Sequence, residues 1–213
     1  NYKLKKEVIM IVANWDYKIP NSKAVDAYNT AKKYFEKYGS IGCALFNHLG
    51  TNVGSYSFSA GFENNANFGE FDDKVSNDEE FQKDMSPYFD VTDWENMNLY
   101  IPLAHKMDPD PGQKHCFAQW LFKYDDEEDL IKTSEVFFNY WMENGGNGGT
   151  VGTFRGSHIG QYGFGIRFRS MKDYGLAHDK LNEKNVWASH REFLNKCEFT
   201  GFNLSRVLES NWD

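Results

Sequence analysis

The chain has 213 residues, 40% of them hydrophobic and 17% aromatic, with a net charge of −8 and a pI near 5.3. With 31 acidic residues against 23 lysines and arginines, the chain has no excess of the positive charge that neutralises phosphates or meets anionic lipid, so nucleic acid and membrane are set aside as partners and a small-molecule ligand is expected. Cys43, Cys116 and Cys197 are odd in number and widely spaced, which supports neither a disulfide framework nor a cysteine zinc site and points to a reducing, cytoplasmic setting.

The first apolar run, Val8 to Ala13, is far below the roughly 20 residues a bilayer requires and lacks a small-residue cleavage site. It opens a strand over Val8–Tyr17. Ala24, Tyr28, Ala31, Phe35 and Tyr38 then recur at spacings of four and three, which predicts a helix over Ser22–Tyr38. Ser22 is placed to cap it and Gly39 to end it in the left-handed conformation. Two strands follow, Gly42–Leu49 and Ser55–Glu63. The second alternates cleanly: Tyr56, Phe58, Ala60 and Phe62 on one face, only serine and glycine on the other. Phe68, Phe71 and Val75 mark another helix, and a last strand lies around Asn98–Ile101.

A shift of 106 positions lays this pattern on the rest of the chain. Gly54, Tyr56, Phe58, Phe62, Gly69, Asp73 and Lys74 meet Gly160, Tyr162, Phe164, Phe168, Gly175, Asp179 and Lys180; upstream, Tyr34 and Gly39 meet Tyr140 and Gly145. The second copy therefore has strands at Cys116–Tyr124, Thr150–Ile159 and Gln161–Arg169, helices marked by Leu130, Ser134, Phe137 and Trp141 and by Tyr174, Ala177 and Leu181, and a last strand around Asn203–Arg206. The order β-α-β-β-α-β, written twice, is an α+β chain of two ferredoxin-like units. Residues 1–107 form the first repeat, 108–114 a proline-rich linker and 115–213 the second.

The G-x-Y-x-F-x-x-x-F strands, the helix after them and the segment Asp78–Gln82 resemble the dimeric α/β-barrel superfamily. The resemblance implies that two ferredoxin-like units pair their open sheet faces into a barrel, here within one chain. The superfamily includes antibiotic-biosynthesis monooxygenases, haem-degrading enzymes, chlorite-dismutase-like proteins and stress-responsive barrels, so the fold alone carries little function. The haem-degrading members use an Asn, a Trp and a His. Asn14 and Trp15 stand on the first strand, but the acidic second helix of copy one carries Asp72 and Asp73. His178 lies on the corresponding helix of copy two, where the 106 shift sets Trp120 against Asn14. The triad is not carried over; no cofactor is predicted, with haem held by a single histidine left open.

His48 and His158 both stand near the end of a second strand, matched only through compensating gaps. Such a pair could hold a ligand or act as acid and base, or each could simply hydrogen-bond a nearby loop. Arg155, Arg167 and Arg169 could clamp a carboxylate. If the serine and glycine face of the third strands lines the barrel, volume remains, and a cavity lined in part by Trp15 or Trp120 would suit a planar or apolar ligand. If the aromatic face points inward, the barrel is filled. Asp125–Asp129 reads as a helix start, where carboxylates meet the positive end of the dipole. Gly145–Gly149 reads as a flexible connection, because it follows a helix and no Gly-Lys-Ser/Thr comes after it. The functional expectation is a barrel that binds a small apolar or aromatic molecule between its two sheets, monooxygenase-like. The alternative is a non-enzymatic structural or stress-associated barrel acting through assembly, a homo-oligomer included.

Overall fold

The computed structural model describes residues 10–50, 52–108 and 116–212. The first repeat runs β1 (Ile11–Lys18), α1 (Asn21–Lys37), β2 (Gly42–His48), β3 (Tyr56–Phe62), α2 (Asn65–Ser76), α3 (Glu79–Phe89) and β4 (Asp93–Met107). The second runs β5 (Cys116–Lys123), α4 (Glu127–Glu143), β6 (Gly146–Gly156), β7 (Tyr162–Phe168), α5 (Met171–Glu183), α6 (Val186–Ser189), α7 (Arg191–Lys196) and β8 (Glu198–Ser210). Apart from Asp108, the linker expected at 108–114 lies outside the described residues.

Alternation decides the architecture. Tyr56, Phe58 and Phe62 of β3 pack with Tyr28, Phe35 and Phe71 of α1 and α2, and Phe164 and Phe168 of β7 pack with Phe138, Trp141 and Leu181 of α4 and α5. The opposite faces carry small side chains, so the two sheets turn them inward and close into one antiparallel barrel in the order β1-β3-β2-β8-β5-β7-β6-β4. Closure needs two seams between the repeats, and the long last strands make both. β4 pairs with β1 through Asp93–Tyr100 and with β6 through Asn98–Met107; β8 pairs with β5 through Glu198–Arg206 and with β2 through Ser205–Ser210. A closed ring leaves no unpaired edge.

Several local expectations are corrected. Ser22 does not cap α1: Pro20 occupies the N-cap, with no side-chain hydrogen bond. Gly39 does take the left-handed conformation, at φ 97°. The acidic stretch begins α4, with Asp126 accepting from the Asp129 amide at 3.0 Å. The glycine run is no flexible connection, because Gly146–Gly149 already belong to β6. A Cβ on Gly149 would lie 2.4 Å from the Phe138 ring, so glycine lets α4 sit directly on the strand.

Register revises the repeat alignment. Trp15 pairs with Phe58, and Trp120 with Phe164, so the first strands match at an offset of 105. Trp120 is thus the partner of Trp15, and Gln119 that of Asn14. On the second strands Phe46 faces Ser57 and Gly152 faces Gly163, which sets Phe154 opposite in role to His48. His158 lies beyond β6, in the turn before β7, and is not the symmetry mate of His48.

Candidate functional site

Two cavities flank the sheet. The barrel lumen, about 310 Å³, is lined by Asn14, Asp16, His48, Ser57, Ser59 and Ser205 on its polar side. The second, about 290 Å³, lies outside the barrel beneath the helices of the second repeat, walled by Trp120, Phe137, Trp141, Phe164, Trp187 and Phe193.

In the lumen the strand pleat turns Asn14 and Asp16 of β1 towards Ser59 and Ser57 of β3. Ser59 Oγ donates to Asn14 Oδ1, and Ser57 Oγ donates to Asp16 Oδ1. His48 Nε2 lies 2.6 Å from Ser57 Oγ and its Nδ1 lies 2.8 Å from Ser205 Oγ. Because Ser57 has one proton and gives it to Asp16, it accepts from Nε2–H; Nδ1 of the neutral ring is then the acceptor for Ser205. Burial holds the His48 pKa below the usual imidazole value, against the opposing pull of Asp16 and Glu95, so the ring is neutral at pH 7.

The helix-side cavity has a different character. Trp120 meets Trp141 at 5.5 Å and Phe202 at 5.2 Å between ring centroids, and its walls are almost wholly aromatic and aliphatic. One polar atom breaks this pattern: Ser134 is 1% exposed and its Oγ has no hydrogen-bond partner. The matching helix position in the first repeat is Tyr28, which fills the space and donates to the Cys43 carbonyl at 3.2 Å. The tyrosine side chain occupies in the first repeat a position that in the second is left to serine beside an opening. Cys197 borders the opening, with its thiol pushed up to about 11 by burial, which removes thiolate chemistry at neutral pH.

The residues named from sequence fall in three places. Asn14 and His48 line the lumen, and His158 stands at its mouth, its amide donating to Asn98 Oδ1 at 3.0 Å and its ring 5.6 Å from Phe154. Trp15 and Trp120 face the helices: Trp15 is packed among Phe35, Phe58 and Phe68, while Trp120 lines the aromatic cavity. Arg155 is exposed on the outer surface, whereas Arg167 turns into the lumen, its Nη1 3.5 Å from the Met107 sulfur. Asp16 and Ser205 are not expected at a site from sequence, Ser57 reads only as part of the small-residue face, and Ser134 only as a marker of its helix. Asp16 had one readable signal, a charge alternating with Asn14 along an otherwise apolar strand.

Haem finds no ready axial ligand in the aromatic cavity. Its one imidazole is His178, whose Nδ1 lies 3.1 Å from Asn182 Nδ2, while Asn182 Oδ1 accepts the Trp187 indole N–H at 2.7 Å. Trp187 can only donate, so the amide is fixed, Nδ1 accepts, and the neutral ring carries its proton on Nε2, the nitrogen a metal would need. These residues do not fit an axially ligated haem. Among the described residues, no three His, Cys, Asp or Glu converge on a metal position.

No protein-family model matches the chain, and no curated protein does. Solved structures do. A presumed monooxygenase from Fusobacterium nucleatum superposes with a TM-score of 0.60 at 11% identity, over 95% of this chain and 94% of that one. An anthrone oxidase-like protein gives 0.60 at 12% identity over 97% and 94%. A chlorite dismutase variant from Candidatus Nitrospira defluvii gives 0.60 at 9% identity over 96% and 93%. At such identities the likeness speaks for the fold. With eight strands closed into one ring and helices outside, the chain has the fold of the dimeric α/β-barrel superfamily, both halves of the barrel supplied by one polypeptide.

Proposed function

We propose that the protein binds a small planar aromatic molecule in the cavity beneath the helices of the second repeat and acts on it as a cofactor-independent oxygenase. One observation carries the reading: the unpartnered Ser134 hydroxyl in a tryptophan-walled space where the first repeat is filled by Tyr28. A buried hydroxyl left without a partner costs about 1–3 kcal/mol, and a ligand oxygen placed against it removes that cost. The flat walls of Trp120, Trp141 and Trp187 favour stacked rings. A volume near 290 Å³ restricts the ligand to two or three rings.

The substrate class that suits this space is an anthrone or a related phenol with an activated CH₂ group. Ser134 would hold its carbonyl or phenolic oxygen, while the apolar wall excludes water. Oxidation of CH₂ to C=O draws four electrons from the substrate; O₂ takes them, delivering one oxygen atom to carbon and the other to water. The likeness to a presumed monooxygenase and an anthrone oxidase-like protein supports this class. A purely structural barrel would have its interior packed with aromatics, and this lumen is not. The test is oxygen uptake with anthrone, together with native mass spectrometry of the purified protein. Uptake by the wild type, lost in Ser134→Tyr, is the expected result. No uptake and no retained ligand would sink the reading.

A further inference from the structure

Four lumen positions differ in chemistry between the two repeats. Asp16, His48 and Ser57 face it from the first repeat, with Ser205 reaching in from β8. By register the equivalent positions are Leu121, Phe154 and Gly163, with Tyr100 reaching in from β4. Tyr100, Leu121 and Phe154 form a buried apolar cluster of their own. At these four positions the second repeat closes the same backbone frame with largely apolar side chains, so the polar quartet is not needed to close it in the first. Burying the His48 imidazole beside a half-buried carboxylate costs free energy that the apolar set avoids.

We propose that this quartet makes the lumen a second binding site, one that accepts the proton of a weakly acidic hydroxyl, phenolic or enolic, on a small molecule. The inference is independent of the aromatic cavity. Ser205 already gives its proton to His48 Nδ1 at 2.8 Å, which leaves its oxygen to accept from a ligand. In the transfer the ligand O–H bond breaks and a new Ser205 O–H forms, while the original Ser205 proton passes to Nδ1. The products are a ligand oxyanion and an imidazolium. The imidazolium is held through Nε2–H, Ser57 and the Asp16 carboxylate. Burial disfavours the charged ring, and the charged groups facing it, Asp16 and Glu95, oppose that effect, so the imidazolium is sustained with the ligand oxyanion beside it. Arg167 supplies the opposite sign for the oxyanion. It lies in the register layer of Ser205, both residues pairing with Phe117 of β5, and no carboxylate among the described residues pairs with it. The arrangement is a base oriented by a third group, with the base reached through a hydroxyl.

The probe is p-nitrophenol, whose phenolate is coloured. At one pH unit below its own pKa about a tenth is ionised. Titration with the wild-type protein should raise the phenolate band several-fold towards saturation. His48→Phe, which copies the residue of the other half, and Ser205→Ala should each abolish the rise, with circular dichroism confirming the fold; His48→Gln replaces His48→Phe if that variant fails to fold. Ser134→Tyr, which closes the aromatic cavity, should leave the rise intact. Bound p-nitrophenol that stays protonated, an absence of binding, a rise undiminished without His48, or a rise lost in Ser134→Tyr would each overturn the proposal. The last of these would leave the aromatic cavity as the site of binding.

Discussion

Replacing Ser134 by alanine should make the free protein more stable and its ligand weaker. The hydroxyl is buried to 1% exposure in α4 and meets no donor or acceptor, so its removal relieves about 1–3 kcal/mol of desolvation. Alanine also exceeds serine in helix preference by about 0.5 kcal/mol. Against this, the opening grows by one oxygen, a loss of a few tenths of a kcal/mol at about 24 cal/mol per Å³. A net gain of about 1–3 kcal/mol follows, which for a chain of this size raises the melting temperature by about 2–12 °C. The assay is urea unfolding followed by far-ultraviolet circular dichroism, with calorimetry for the thermal shift. A ligand bound to the hydroxyl should lose one neutral hydrogen bond, about 0.5–1.5 kcal/mol, or roughly two- to twelvefold in affinity. A stability unchanged or lowered would mean that Ser134 has a partner, and the argument from an orphaned hydroxyl would be refuted.

The seam between the repeats should be intolerant at Gly152, where a Cβ would lie 2.4 Å from the Ile101 carbonyl and 2.6 Å from the Tyr100 ring. Gly152→Ala should cost about 2–4 kcal/mol in urea unfolding, whereas Gly175→Ala, in α5 with nothing within 4 Å, should gain up to about 1 kcal/mol; equal effects would contradict the packing described. His48 has a folded pKa below its unfolded value, so the unfolded chain binds more protons between the two. Its contribution is complete above the unfolded pKa near 6.5 and is lost as pH falls through the folded value. Wild type should therefore lose more stability between pH 7.5 and pH 5 than His48→Phe, and identical pH slopes would remove His48 as the cause. Haemin added to the protein should give no axially ligated Soret spectrum; one that disappears in His178→Ala would show that the ring can change tautomer.

The repeat and the barrel were legible because periodicity is local. Tyr56, Phe58 and Phe62 against serine and glycine state which face is apolar, and their echo at Tyr162, Phe164 and Phe168 states that the unit occurs twice. Which face turned inward was not legible. That depended on the seams, and the pairing of β4 with β6 and of β2 with β8 joins residues far apart in sequence with no signature of their own. The histidines misled for a related reason. His48 and His158 share a neighbourhood in sequence, but a strand register is counted in residues, and that count puts Phe154 in the place of His48. Trp120 was expected to line a cavity inside the barrel; it lines one on the helix side of its strand instead, because its neighbours Gln119 and Leu121 take the lumen-facing positions. Ser134 sat openly opposite Tyr28 in the alignment. Its meaning required knowing that the tyrosine is buried and what it fills.

A barrel made by two identical chains must repeat every lumen residue across its twofold axis. A carboxylate placed there would face its own image, and two like charges in one small cavity would repel. Joining the halves in one polypeptide lifts that condition: Asp16 can stand where the other repeat has Leu121, and His48 where it has Phe154. The covalent link thus does more than fix stoichiometry. It permits an interior whose lining differs from one repeat to the other, so that an entering molecule meets two unlike ends.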